Sequence, residues 1–161
     1  LESNIRWEMG DVESYEKLIT RALEIEPDNV DLHFNLGVIS SDKGDIDKAM
    51  YHYNKAIEID STYTKAHLNA AALVLQKEQS IIEEMNLLGT SNADYNRYDE
   101  LKIAREDLYK SAIPYLESVY KLDNKNLSAV RTLRNIYSAI DDMDNYKKFK
   151  AIAEDLESKI D

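Results

Sequence analysis

A chain of 161 residues, 43% hydrophobic and 32% charged, is long enough for one domain, and with only six glycines and prolines it lacks the punctuation that strands need. Its net charge of −11 repels a phosphate backbone, and Lys147, Lys148 and Lys150 form only a short basic group, so nucleic acid is not an expected partner. The absence of cysteine excludes disulfides and thiolate metal sites, and no apolar run approaches the roughly 20 residues that span a bilayer.

The N-terminal Leu1-Glu2-Ser3-Asn4-Ile5-Arg6-Trp7 lacks a signal-peptide core and reads as the interior of a helix. A soluble protein is therefore expected. Its compartment stays open, cytoplasmic or, with a leader removed upstream, exported or periplasmic.

Gly10-Asp11-Val12-Glu13 begins a second helix that carries Ala22-Leu23-Glu24-Ile25-Glu26 and ends at Pro27-Asp28-Asn29. Both segments then recur. Gly44-Asp45-Ile46-Asp47 and Ala56-Ile57-Glu58-Ile59-Asp60 each follow their counterparts by 34 residues. The spacing predicts a helix from Val30 that ends at Gly44 in a left-handed conformation, with Asp45 capping the next. Two amphipathic helices of this length are each too short to be stable alone, so they must bury their apolar stripes against neighbouring pairs. Gly37, Ala49 and Ala56 allow helices to cross closely, and Leu36, Tyr53 and Ile57 fill the space beside them.

A third unit begins at Thr64 with Ala66-His67-Leu68-Asn69-Ala70-Ala71-Ala72, and its sequence stays helical in character to Leu88. Gly89-Thr90-Ser91-Asn92-Ala93-Asp94 supplies breakers and caps, and a long helix is predicted from about Tyr95 to Leu122. The alanine equivalent to Ala49 falls at Ala112 rather than at residue 83, an insertion of 29 residues. Shared between two arms, this lengthens each by about 20 Å at 1.5 Å per residue. Leu73, Ile81, Ile82, Met85 and Leu88 are expected to face Tyr98, Leu101, Ala104 and Leu108 across an antiparallel hairpin, with a kink at Pro114. The last unit runs from Leu127 into a Lys-rich helix whose apolar face holds Tyr146, Phe149, Ala153 and Leu156.

The unit Val30 to Tyr63, with Leu36-Gly37, Gly44-Asp45, Ala49, Tyr53 and Ala56, resembles the tetratricopeptide repeat at nearly every signature position. The resemblance implies an all-α fold, a right-handed helical solenoid with one elongated, projecting hairpin. It divides the chain into a partial repeat (1–29), a full repeat (30–63), an expanded repeat (64–126, insertion about 83–111) and a degenerate cap (127–161). It also implies a non-catalytic scaffold that binds a protein or extended peptide on the concave face lined by the first helix of each pair.

Carried over by register, the groove residues are Asn4, Trp7, Phe34, Asn35, Val38, Lys65, Leu68, Asn69, Arg131 and Asn135, flanked by Asp31, Ser41, Ala72 and Ser128. Asn4, Asn35 and Lys65 also match part of the carboxylate clamp of some family members. Asn69 stands where that clamp needs a base, so a structural role for the asparagines is the preferred reading.

The alternative function is assembly or homodimerisation through the hairpin, with Tyr95 and Tyr98 near its tip as interface residues. No catalytic constellation, cofactor motif or metal site is expected. His33 and His67 share one repeat position and read as packing residues, and Asp141-Asp142-Met143-Asp144-Asn145 lacks the glycine and distal glutamate of a calcium loop.

Overall fold

A computed structural model describes residues 12–159, and Asn4 and Trp7 lie outside them. The described elements are all helical: α1 (Val12–Ile25), α2 (Val30–Asp42), α3 (Ile46–Ile59), α4 (Thr64–Leu75), α5 (Glu78–Leu87), α6 (Asn92–Leu122), α7 (Leu127–Ala139) and α8 (Met143–Glu157). The chain divides between Asn69 and Ala70 into two compact units.

In the first unit α2 and α3 form the predicted hairpin. Asn29 caps α2 by accepting from Leu32 N at 3.1 Å. Gly44 closes it at φ +77°, a conformation that costs a side-chain-bearing residue energy, and its N–H donates to the Ser41 carbonyl at 2.9 Å. Asp45 then caps α3 by accepting from Lys48 N at 3.2 Å.

On α3 the buried residues Ala49, Tyr53 and Ala56 recur at helical spacing. The Tyr53 ring lies over Gly37 so closely that an added Cβ would fall 2.5 Å from two ring carbons. On the other side of α2, Leu36 and Ile39 pack against Tyr15 and Ile19 of α1. Glu16 of α1 reaches Lys43 at 2.5 Å and Lys48 at 2.6 Å, part-exposed pairs that contribute little beyond orientation.

The segment expected to form one helical arm, from Thr64 to Leu88, is two helices, α4 and α5, rather than one. The backbone breaks at Gln76 and Lys77, where Lys77 N bonds the Val74 carbonyl three residues back at 3.4 Å. No glycine or proline marks the place. The break stands beside a cluster on Glu78, whose Oε1 accepts from Arg105 Nε at 3.1 Å, from Arg105 Nη2 at 2.7 Å and from the Tyr109 hydroxyl. These contacts tie the start of α5 to α6, and the pair Arg97–Glu84 at 2.6 Å continues the same antiparallel register towards the tip.

Helix α6 starts at Asn92, three residues before its predicted start. Ser91 and Asp94 form a reciprocal capping box there. Its 31 residues make a rod of about 46 Å at 1.5 Å per residue, which runs on through Pro114 without interruption. Leu73, Leu101 and Leu108 are buried as expected, whereas Ala104 is exposed and takes no part in the facing row. Further along, Ala112, Leu116 and Val119 are buried at the positions that correspond to Ala49, Tyr53 and Ala56.

Helices α7 and α8 pair as the last hairpin. Phe149 is buried between Tyr120, edge-on at 5.1 Å between ring centroids, and Tyr137, stacked at 5.6 Å. The turn before α8 reproduces the Gly44–Asp45 turn with different chemistry. Asp141 adopts φ +57°, and Asp142 caps α8 by accepting from Asn145 N at 3.1 Å. Asp141→Gly should therefore stabilise the chain by up to about 1 kcal/mol in urea titration, whereas Asp142→Ala should cost about 1 kcal/mol.

Candidate functional site

The residues placed by register in the first unit gather around two tyrosines. Phe34, half-buried on α2, packs against Tyr53 of α3 at 6.0 Å and against Tyr63, which precedes α4, at 5.4 Å between ring centroids. The Tyr63 hydroxyl donates to Asp31 Oδ1 at 2.6 Å, and Asn69 of α4 donates from Nδ2 to the Tyr53 hydroxyl at 3.3 Å. Burial raises the pKa of both phenols, and for Tyr63 the Asp31 carboxylate raises it further, so both keep their hydrogens at physiological pH.

Around this aromatic cluster Asn35, Val38 and Leu68 are half-buried, and Lys65 is exposed at the start of α4. Asn35 and Lys65 make no hydrogen bond or ion pair among the described residues, which leaves one amide and one cation for an outside group. The arrangement offers an apolar strip of aromatic and branched side chains edged by a few polar groups, and no acid–base pair or nucleophile is gathered on it.

The remaining predicted residues are placed otherwise. Arg131 and Asn135 stand exposed on α7 in the second unit, and both already have partners. Arg131 Nε contacts Glu157 Oε1 at 2.7 Å, and Asn135 Oδ1 accepts from Arg134 Nε at 3.2 Å. Tyr95 and Tyr98 on α6 are 59% and 46% exposed, alongside Leu87 and Ile103 at 86% and 60%, so the α5–α6 hairpin also shows apolar surface.

Register alone did not single out Tyr63 or the hydroxyl of Tyr53 as part of the face. Tyr53 reads in sequence as a core filler, and its ring is one. Only the three-dimensional placement of Asn69 shows that its buried hydroxyl meets one of the residues placed by register. Among the described residues no group of three His, Asp or Glu side chains is placed to hold a metal ion. No helix among the described residues is long and apolar enough to cross a membrane.

Residues 30–63 match the family model of the tetratricopeptide repeat. The chain is also similar to solved structures of low sequence identity. MamA is 18% identical, with 98% of this chain and 95% of that one covered at a TM-score of 0.44. MamA residues 41 to the end, from Desulfovibrio magneticus RS-1, is 16% identical over 99% and 93% at 0.46. YrrB, described as a tetratricopeptide-repeat protein with an unusual peptide-binding site, is 16% identical over 86% and 91% at 0.36. No curated protein matches the chain in sequence. The matched segment coincides with the α2–α3 hairpin and its capped turns, from Val30 to Tyr63, so this segment of the chain is a tetratricopeptide repeat.

Proposed function

We propose that the face built by α2 and the first turns of α4 binds an extended segment of another protein. The observation that carries this reading is the half-buried pair Phe34 and Tyr63, with Phe34 also packed on the buried ring of Tyr53, edged by Asn35 and Lys65 with no partners among the described residues. Aromatic side chains supply contact area at low entropic cost, and an unpaired amide reads the backbone of an extended strand. Helices capped at both ends of the hairpin keep the face preformed, so most of the ordering cost on binding falls on the partner. Lys65 favours an acidic group or a terminal carboxylate near one end of that segment.

Asn35→Ala combined with Lys65→Glu removes both polar contacts from positions that carry no fold-stabilising bond. Partners captured on the unaltered chain should be lost or weakened at least tenfold by the double variant, measured by calorimetry on the purified pair, with the melting temperature unchanged. Retained affinity at unchanged stability would remove this face from consideration.

A further inference from the structure

His33 of α2 and His52 of α3 are both buried, and their Nδ1 atoms face each other at 3.1 Å. His33 Nε2 lies 3.0 Å from the Pro27 carbonyl. A carbonyl only accepts, so His33 Nε2 carries a hydrogen and donates it. In a neutral ring this leaves His33 Nδ1 as an acceptor, and His52 Nδ1 must then be the donor. One proton therefore occupies the space between the two rings. A second has no place: with both rings charged, two N–H groups would point at each other across 3.1 Å, with ring centroids 5.3 Å apart.

The same position in the next repeat repeats only half of this. His67 Nε2 meets the Ser61 carbonyl at 2.9 Å, as His33 meets Pro27. The residue that corresponds to His52, however, is Tyr115, so the double-imidazole arrangement belongs to the repeat at 30–63.

We propose that the His33–His52 pair is an acid-sensitive catch between α2 and α3, which holds the hairpin closed while the pair shares one proton and releases it when both rings charge. Its consequence for binding rests on the face described above, because α2 carries Phe34 and Asn35 beside His33. The catch itself does not depend on that face.

The charged neighbours come from each packed element. Lys48 of α3 acts against a charge on His52, and Glu16 of α1 acts for it, but Glu16 is already held by Lys43 and Lys48. The exposed ring of Tyr51 meets His52 edge-on at 5.1 Å. On the other side His33 shares a cavity of about 260 Å³ with Asp28, Tyr51, Lys55 and Glu58, which gives solvent protons a route. Burial first, then His33 and Lys48, push the His52 imidazole down to about 4 from its ordinary 6.5. The sign follows directly. The unfolded chain takes up this proton before the folded one, so the stabilisation is complete above about pH 6.5 and is lost as pH falls towards 4.

The test is urea unfolding of the full chain from pH 7.5 to pH 4, compared with His52→Asn, whose Nδ2 stands one bond from Cγ as Nδ1 does and so still donates to His33 but cannot titrate. On acidification the folding equilibrium of the unaltered chain should fall on the order of a hundredfold more than that of the variant. Parallel curves would overturn the proposal. Should His52→Asn fail to fold, nitrogen NMR of the imidazoles in the unaltered chain decides. At neutral pH it should show His33 protonated at Nε2 and His52 at Nδ1, and on acidification a coupled titration that shifts the Phe34 and Asn35 amides. Two independent titrations without movement of those amides would reject it. Both readouts are made without a partner, so a failed catch and a failed binding face give different results.

Discussion

Gly37→Ala should destabilise the α2–α3 hairpin by about 2 kcal/mol or more, even though alanine is the better helix former by about 1 kcal/mol. The new Cβ would lie 2.5 Å from Tyr53 Cδ1 and Cε1 and 3.2 Å from Cγ, against a ring that is 2% exposed and flanked by Phe34. A rigid buried ring has no free end to swing aside, so either the helices part or the ring leaves its rotamer. The damage should extend to the surface, because the same ring carries the hydroxyl that Asn69 holds.

Tyr53→Leu placed in the Gly37→Ala background should recover part of the loss. The next repeat has this combination, with Ala71 at the glycine position and Leu116 at the tyrosine position. A denaturant titration of the four proteins as a double-mutant cycle measures the coupling, expected at 1 kcal/mol or more. Additive effects would mean that the ring and the glycine do not meet.

Phe149→Ala is the corresponding prediction for the second unit, and it should cost about 3–5 kcal/mol. Phe149 is 1% exposed, stacked on Tyr137 and edge-on to Tyr120, and Lys148 Nζ lies 5.0 Å from its ring centroid. Truncation removes a shared aromatic partner from α6 and α7 together, and two large rings cannot easily collapse into the space. Phe149→Leu should keep most of the burial and cost less than half as much. Near-ultraviolet circular dichroism follows the loss of the tyrosine environment alongside the denaturant midpoint.

How far the sequence foretold these features depended on whether each was local. The Gly44–Asp45 turn was readable because two residues fix it, and the register of the family resemblance led to Phe34, Asn35 and Asn69 as candidate face residues. Asp141 escaped because an aspartate stands where the period leads one to look for glycine, and a short polar side chain tolerates the same left-handed backbone. The break at Gln76 and Lys77 had no local signal. It goes with the grip of Arg105 and Tyr109 on Glu78, partners 27 and 31 residues away. The same holds for Tyr63 with Asp31 and for His33 with His52, pairs that only the folding of one helix onto the next brings together. Long-range polar contacts of this kind were the part of the candidate site that periodicity could not supply.

The binding face is tested most directly by site-specific crosslinking in cells that make the protein. A photoreactive side chain at Lys65, exposed beside Asn69, should capture a discrete partner protein, and the crosslinked peptide should map to one extended segment of it. The same group at Tyr51, exposed on α3, should capture nothing above background. Equal capture at both positions, or capture at Tyr51 alone, would contradict the assignment of the face to α2 and α4.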